Sequence, residues 1–345
     1  MAKLDCILVY HWQAWDGFLI SHLVADYCHL PASHEDGLAQ LERHLTPNIC
    51  AVLPQINLTD SGVFPAQRAA LFAHLKARGV AVLNTEVNNI SKRQLHRMLA
   101  QAGLPCARAT ESGPAQQRLF VKTDLNWGGA SERRLSPALQ GQLLSAHARV
   151  PVRDELHAGD AAGTIRGWDG YYTMLRKEVP PALWHDPALV IEQYIENPEH
   201  SFYRVYGFGD SLVVVKAHSN ALIKKLAGDA RDSNVLLQRD ALLQDGRATQ
   251  SCGRLPDSRT LPDSDVLPDG SGLPPGLRRV LRGFVQHCPL AYFCLDIVHD
   301  EREFYIIDLN LTPWAGKQPQ TSEAVEFLCR GAVAYLKHHA MRRAA

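Results

Sequence analysis

Apolar runs and polar positions separate most sharply over residues 290–312, LAYFCLDIVHDEREFYIIDLNLT, where two runs rich in β-branched and aromatic residues, 293–298 and 304–309, flank a charged stretch at 299–303. The pattern predicts a β-hairpin with a solvated turn. With the turn centred on Arg302, Asp296 lies opposite Asp308, and the strand period of two puts Asn310 on the face of Asp308. Far upstream, buried-type strands at 4–10, 49–56 and 79–83 alternate with helical spacing at 37–45 and 66–78, the order of an α/β unit that ends near Val87. Gly79 stops the second of those helices.

A new helix follows, SKRQLHRMLAQAG, with Ser91 as its N-cap, Leu95, Met98 and Leu99 as its buried stripe and Gly103 at its end. Beyond it the pattern predicts a strand at 118–122, helical spacing at 137–150, a buried strand at 189–195 and a hairpin formed by 202–208 and 211–217. Residues 168–179 are mixed and assign themselves to no element. From Leu255 the chain repeats LPDSRT, LPDSDV, LPDGSG and LPPG; proline in each copy removes ladder donors, so this reads as an exposed insertion, not a solenoid. A helix at 277–287 leads into the hairpin, and an amphipathic helix covers 323–342. The expected domains are 1–88, 89–188 and 189–345, with the insertion near 245–276.

Composition narrows the partners. Of the 345 residues 46% are hydrophobic and 21% charged, which is ordinary for a packed protein with a sizeable core. Thirty-six basic and thirty-six acidic residues cancel, so neither nucleic acid nor an anionic membrane is the expected partner, and small ligands are. The eight cysteines form no C-x-x-C pair and read as reduced thiols of a cytoplasmic protein. No apolar run reaches the length of a spanning helix, and no export signal is expected.

The polar exceptions inside the apolar elements carry the candidate chemistry. Two carboxylates facing each other between buried strands repel and lose hydration, so Asp296 and Asp308 call for a compensating charge. With Asn310 they make an oxygen-only set suited to Mg²⁺, an ion that keeps positions open for phosphate oxygens and so points to a nucleotide. A D-x-N at a strand end also serves as a plain cap and turn. Lys92 sits in the first turn of its helix, where the dipole disfavours a cation and a phosphate partner would account for it. The strand at 118–122 delivers Lys122 to the turn TDLNWGGAS, where Gly128 and Gly129 let backbone N–H groups approach an anion; a simple hairpin turn has the same composition. Glu192, internal to a buried strand, needs a donor, and an adenine amino group would be one. Glu199, past the Asn197-Pro198 turn, could accept from ribose hydroxyls. Arg204 and Lys216, in neighbouring apolar strands, want an anion, with snorkelling as the alternative for either alone. Trp12, Trp15 and Asp16 after the first strand read as a packed aromatic turn.

Taken in order, a lysine in a helix, a lysine before a glycine turn, E-x-x-I with a second acid seven residues on, a cation-bearing hairpin and D to D-x-N resemble the ATP-grasp superfamily over roughly residues 90–320. The resemblance implies an α/β (α+β) architecture: an N-terminal α/β domain, then two subdomains whose antiparallel sheets sandwich ATP. It implies that Lys92 and Lys122 hold the α- and β-phosphates under the 126–131 turn, that Glu192, Gln193, Tyr194 and Ile195 meet the adenine and Glu199 the ribose, and that Asp296, Asp308 and Asn310 ligate one or two Mg²⁺ ions or Mn²⁺ in their place. Two positions depart from the family pattern. Asp308 stands where a glutamate is usual, and Cys294 where many members carry arginine.

The activity implied is a carboxylate–amine ligase that forms an acyl phosphate and releases ADP and phosphate, with Arg204 and Lys216 at the γ-phosphate. The rivals are a small-molecule kinase of the same fold and a nucleotide-binding protein without turnover. The partners implied are a small carboxylate and an amine, with a homodimer among the allowed assemblies.

Overall fold

Ile7, Leu8 and Val9 of strand β1 (Leu4–His11) are all fully buried, because the strand lies inside a parallel sheet covered on both faces. That sheet has the order β2-β1-β3-β4, with β2 at Val24–His29, β3 at Ala51–Gln55 and β4 at Ala81–Val82. Leu8 and Val52 pack on one side against Leu41 of helix α2 (His34–His44) and Leu71 and Leu75 of α3 (Pro65–Ala77). Gly79 closes α3 at a φ of +72°, as expected of a helix stop. Strand β2 was not legible in the sequence. It is fed directly by a four-residue helix, α1 (Ile20–Leu23), and carries no clean alternation.

The computed structural model describes residues 4–11, 18–29, 34–55, 65–85, 87, 89–125, 137–138, 172–186, 189–209, 211–218, 234–239, 273–313 and 322–344. The turn with Gly128 and Gly129, nearly all of the 137–150 stretch, Trp12, Trp15, Asp16 and the Leu-Pro-Asp repeats lie outside these residues.

The second sheet is antiparallel with the order β10-β9-β8-β11-β12. It is built from the two expected hairpins, β8 (Ser201–Phe208) with β9 (Ser211–His218) and β11 (Tyr292–His299) with β12 (Phe304–Asn310), plus β10 (Asn234–Arg239). One face offers Tyr206, Phe208, Val213, Tyr292 and Cys294 to a core shared with Ile7 and Val9 of β1 and Leu328 of the C-terminal helix Ser322–Ala344. The other face, with Tyr203, Val205, Val214, Leu295, Ile297 and Leu309, is covered by Leu95, Met98 and Leu99 of α4 (Lys92–Gln101) and by Leu277, Val280, Leu281 and Phe284 of the helix Pro275–His287.

The third sheet is antiparallel with the order β6-β5-β7: β5 is Arg118–Thr123, β6 Tyr172–Leu175 and β7 Leu189–Gln193. Because β7 pairs with β5, the expected boundary at 188/189 runs through this sheet. The N-terminal unit is fastened to the second sheet by Asn84. At a φ of +56° its carboxamide donates to the Tyr292 carbonyl (2.6 Å) and accepts from the N–H groups of Ala291 (2.7 Å) and Tyr292 (3.1 Å). Among the described residues, no helix is long and apolar enough to cross a membrane.

Candidate functional site

The even positions of β5 and β7 face away from the small sheet's own core, and this puts Lys122 beside Glu192. The Lys122 ammonium lies 2.8 Å from one carboxylate oxygen of Glu192, and His96 Nε2 lies 2.8 Å from the other. All three side chains are almost wholly buried. Burial by itself would raise the Glu192 pKa, but the Lys122 charge and the His96 hydrogen bond outweigh it and hold the carboxyl below its ordinary value. The donor that Glu192 was expected to find in an adenine amino group is thus supplied from inside the protein.

Lys122 also reaches across to the second sheet and donates to the Ile307 carbonyl at 3.0 Å. That carbonyl belongs to a β-bulge. Near the turn the ladder pairs His299 with Phe304, Val298 with Tyr305 and Ile297 with Ile306, and then steps to Asp296 opposite Asp308, leaving Ile307 as the extra residue. The next residue along the chain is Asp308, so backbone dimensions keep its carboxylate within about 10 Å of the Lys122 nitrogen. Positions 122, 192 and 308 therefore converge.

Helix α4 adds its first turn. Ser91 accepts from the Gln94 N–H (3.2 Å) as the expected N-cap, and Asp124, just past β5, accepts from the Arg93 N–H (2.8 Å). Lys92 is buried and donates to the carbonyl (2.7 Å) of Leu125, the last described residue before the stretch that holds Gly128 and Gly129. His96, which sequence reasoning missed, lies four residues after Lys92 on the same helix face; that spacing was the available signal.

The acids occupy one rung across three strands. Arg204 of β8 pairs with Asp296 of β11, which pairs with Asp308 of β12. Arg204 Nε donates to Asp296 Oδ1 at 2.8 Å and its terminal nitrogen to Oδ2 at 3.4 Å, and the aspartate charge pushes the guanidinium pKa up. Tyr206, Cys294 and Asn310 form the adjoining rung. Asn310 Oδ1 accepts from the N–H (2.8 Å) and the hydroxyl (3.1 Å) of Thr312, so this side chain serves as a turn that ends β12. Among the described residues no three His, Cys, Asp or Glu side chains gather as a metal centre, and the acid pair is the candidate. Its chemistry fits a hard divalent cation: two buried carboxylates, oxygen donors only, and room in the ion's shell for water or phosphate.

Arg204 and Lys216 were expected to share an anion. Lys216 lies opposite Tyr203, while Arg204 lies opposite Val215, and directly opposed residues share a face. The two cations therefore project from opposite faces of the sheet. Lys216 instead lies 3.5 Å from Glu199 and 5.7 Å from the Tyr203 ring centre. His299, also unforeseen, lies 3.6 Å from Glu199 and 2.9 Å from the Ser201 hydroxyl. Gln193 accepts from Gln117 (3.3 Å), and the Arg118 guanidinium sits 5.6 Å over the Tyr194 ring. Tyr194 and Ile195 lie in the irregular segment between β7 and Glu199.

No family model matches the chain, and no curated protein matches it in sequence. Among solved structures it is similar to the ATP-grasp ligase PsnB complexed with a phosphomimetic variant of minimal precursor, Mg and ADP, at 12% identity over 97% of this chain and 99% of that one, with a TM-score of 0.45. It is similar to D-alanine–D-alanine ligase from Bacillus anthracis complexed with ATP, at 11% identity over 98% and 99% with a TM-score of 0.46. A third is L-amino acid ligase from Bacillus licheniformis, at 11% identity over 97% of this chain and 75% of that one, with a TM-score of 0.45. At these identities and TM-scores the likeness assigns neither a family nor a residue's role to this chain.

Proposed function

We propose that the chain is an ATP-dependent ligase that joins a small carboxylate to an amine. The observation that carries this reading is the Lys122 ammonium, which bridges Glu192 of one antiparallel sheet to the backbone beside Asp308 of another. Lysines near one sheet and paired carboxylates on the other suit a triphosphate held with a divalent cation. In this reading Lys92 and Lys122, with the turn at Gly128 and Gly129, take the phosphates. The chain from Glu192 through Gln193, Tyr194 and Ile195 lines the adenine, chiefly by its backbone because the Glu192 carboxylate is already engaged. Glu199 takes the ribose, with Lys216 beside it. Asp296 and Asp308 hold Mg²⁺ or Mn²⁺ with Asn310 at the edge, and the ion when bound neutralises charge on the phosphates.

A substrate carboxylate oxygen attacks the γ-phosphorus as the bond to ADP breaks, giving an acyl phosphate. An amine nitrogen then attacks the acyl carbon, phosphate leaves, and the amine's proton passes to solvent. Arg204, beside Asp296, stabilises the transferring group by charge that is fixed before the reaction. The test is a pairwise screen of amino acids and small carboxylates for ADP and phosphate release. ADP and phosphate in equal amounts, formed only when both an amine and a carboxylate are present, support the ligase. ADP with a phosphorylated product and no free phosphate makes it a kinase, and nucleotide binding without ADP formation makes it a non-catalytic binder.

A further inference from the structure

Cys6 of β1 and Cys50, the residue before β3, lie on adjacent parallel strands one step back from the paired Ile7 and Ala51, and are 44 residues apart in the chain. The Cys50 N–H donates to the Cys6 carbonyl at 2.9 Å, and the Cys50 thiol donates to the same oxygen at 3.3 Å. The two thiols are themselves in hydrogen-bonding contact. Adjacent strands run about 4.8 Å apart, within the Cα separation of about 4.4–6.8 Å that a disulfide spans. We propose that Cys6 and Cys50 are a site of reversible oxidation that takes a low-molecular-weight disulfide as its reagent and closes to a staple between β1 and the start of β3.

The two thiols differ in the way such an exchange requires. Among the described residues Cys50 is the one exposed cysteine, so it meets the reagent first. Its thiolate attacks one sulfur of the reagent, the reagent's S–S bond breaks, and one half leaves as a thiolate that takes up a proton. Cys6 is half-buried and shielded from the reagent. Burial, with the Cys50 thiol beside it, pushes its pKa up to about 11. Cys6 gives its proton to solvent and attacks Cys50 Sγ, and the second half of the reagent leaves and is protonated. Two cysteine thiols have then become one disulfide, and the reagent has been reduced to two thiols. In the return direction an outside thiol reaches the exposed Cys50 Sγ and must expel Cys6, whose raised pKa makes it a slow leaving group. The pair is thus built to be oxidised through Cys50 and to hold the bond through Cys6.

The test treats the full folded chain with oxidised glutathione, alkylates the remaining thiols and maps them by mass spectrometry after proteolysis. The expected product links the peptides of Cys6 and Cys50, carries no glutathione on either, and melts above the reduced chain, because the bond closes a long loop of the unfolded state. Dithiothreitol should return both thiols. Cys6→Ser should keep glutathione on Cys50, and Cys50→Ser should leave Cys6 open to alkylation, with thermal melts confirming that both variants fold. Glutathione that stays on Cys50 of the parent beside a free Cys6 thiol overturns the inference, as does a Cys6 bonded to any other cysteine. A linked product that melts below the reduced chain overturns it too, since the fold would then oppose the bond.

Discussion

Glu192 has a positively charged partner on one oxygen and an imidazole on the other, and it is buried with both, so replacing it leaves Lys122 without its counter-ion in a dry place. Removing one member of a buried pair costs about 3 kcal/mol or more, and Glu192→Gln should lower stability to urea by that order. Its pH dependence has a definite sign. The folded carboxyl titrates below the ordinary value of 4.5, so its contribution is complete above that value and is lost as pH falls through the folded pKa. The gap between parent and variant should hold steady at neutral pH and close only in acid, as paired urea titrations would show. Asp296→Asn takes the charged partner from the partly exposed Arg204 and should cost about 1 kcal/mol in EDTA, as thermal melts would show; an unchanged melt would mean that the pair contributes nothing to stability. The two aspartates were legible because a period of two needs only local sequence. The contacts of the buried acids were not: His96 lies 96 residues from Glu192, and Arg204 lies 92 from Asp296. That Arg204 and Lys216 lie on opposite faces was in principle countable, since a hairpin pairs residues of opposite parity when its turn holds an even number of residues.

At the level of elements, helices with a cap, an apolar stripe and a glycine stop announced themselves, as α4 does with Ser91 and Gly103. The strands β2 and β10 did not; they owe their place to neighbours that the local pattern does not name. The hairpin reveals a compensation. Its centre lies half a residue before Arg302, with His299 paired to Phe304, and the bulge at Ile307 restores Asp296 to a place opposite Asp308. The entry to that hairpin is held by Asn84, whose three hydrogen bonds span more than 200 residues of sequence and left no trace in it. Both Asn84→Gly and Asn84→Ala lose those bonds and should be destabilised by roughly 2–4 kcal/mol. Alanine should fare worse by about 1 kcal/mol, because the backbone there is left-handed and only glycine adopts it without strain. Urea unfolding of the two variants measures the difference, and equal values would mean that the turn relaxes.

On the scale of the whole molecule, the N-terminal sheet and the acid-bearing sheet bury one face each in the same apolar cluster, where Ile7 and Val9 meet the company of Tyr206, Phe208 and Tyr292. Neither side of such a core is satisfied alone, so the two should unfold together. Hydrogen exchange of β1 and β11 amides should report the same opening free energy, and an N-terminal sheet that opens first would show two cooperative units. Lys122 joins the third sheet to this body, and what it grasps at Ile307 is main chain rather than side chain. Every amino acid has a carbonyl. Across a lineage the letter at position 307 is therefore free to drift among residues that suit a strand, while the number of letters between Ile306 and Asp308 is not. Losing that one residue would close the bulge: Asp308 would still lie opposite Asp296, but the carbonyl that Lys122 grasps would be gone. What is inherited there is a count and not a name.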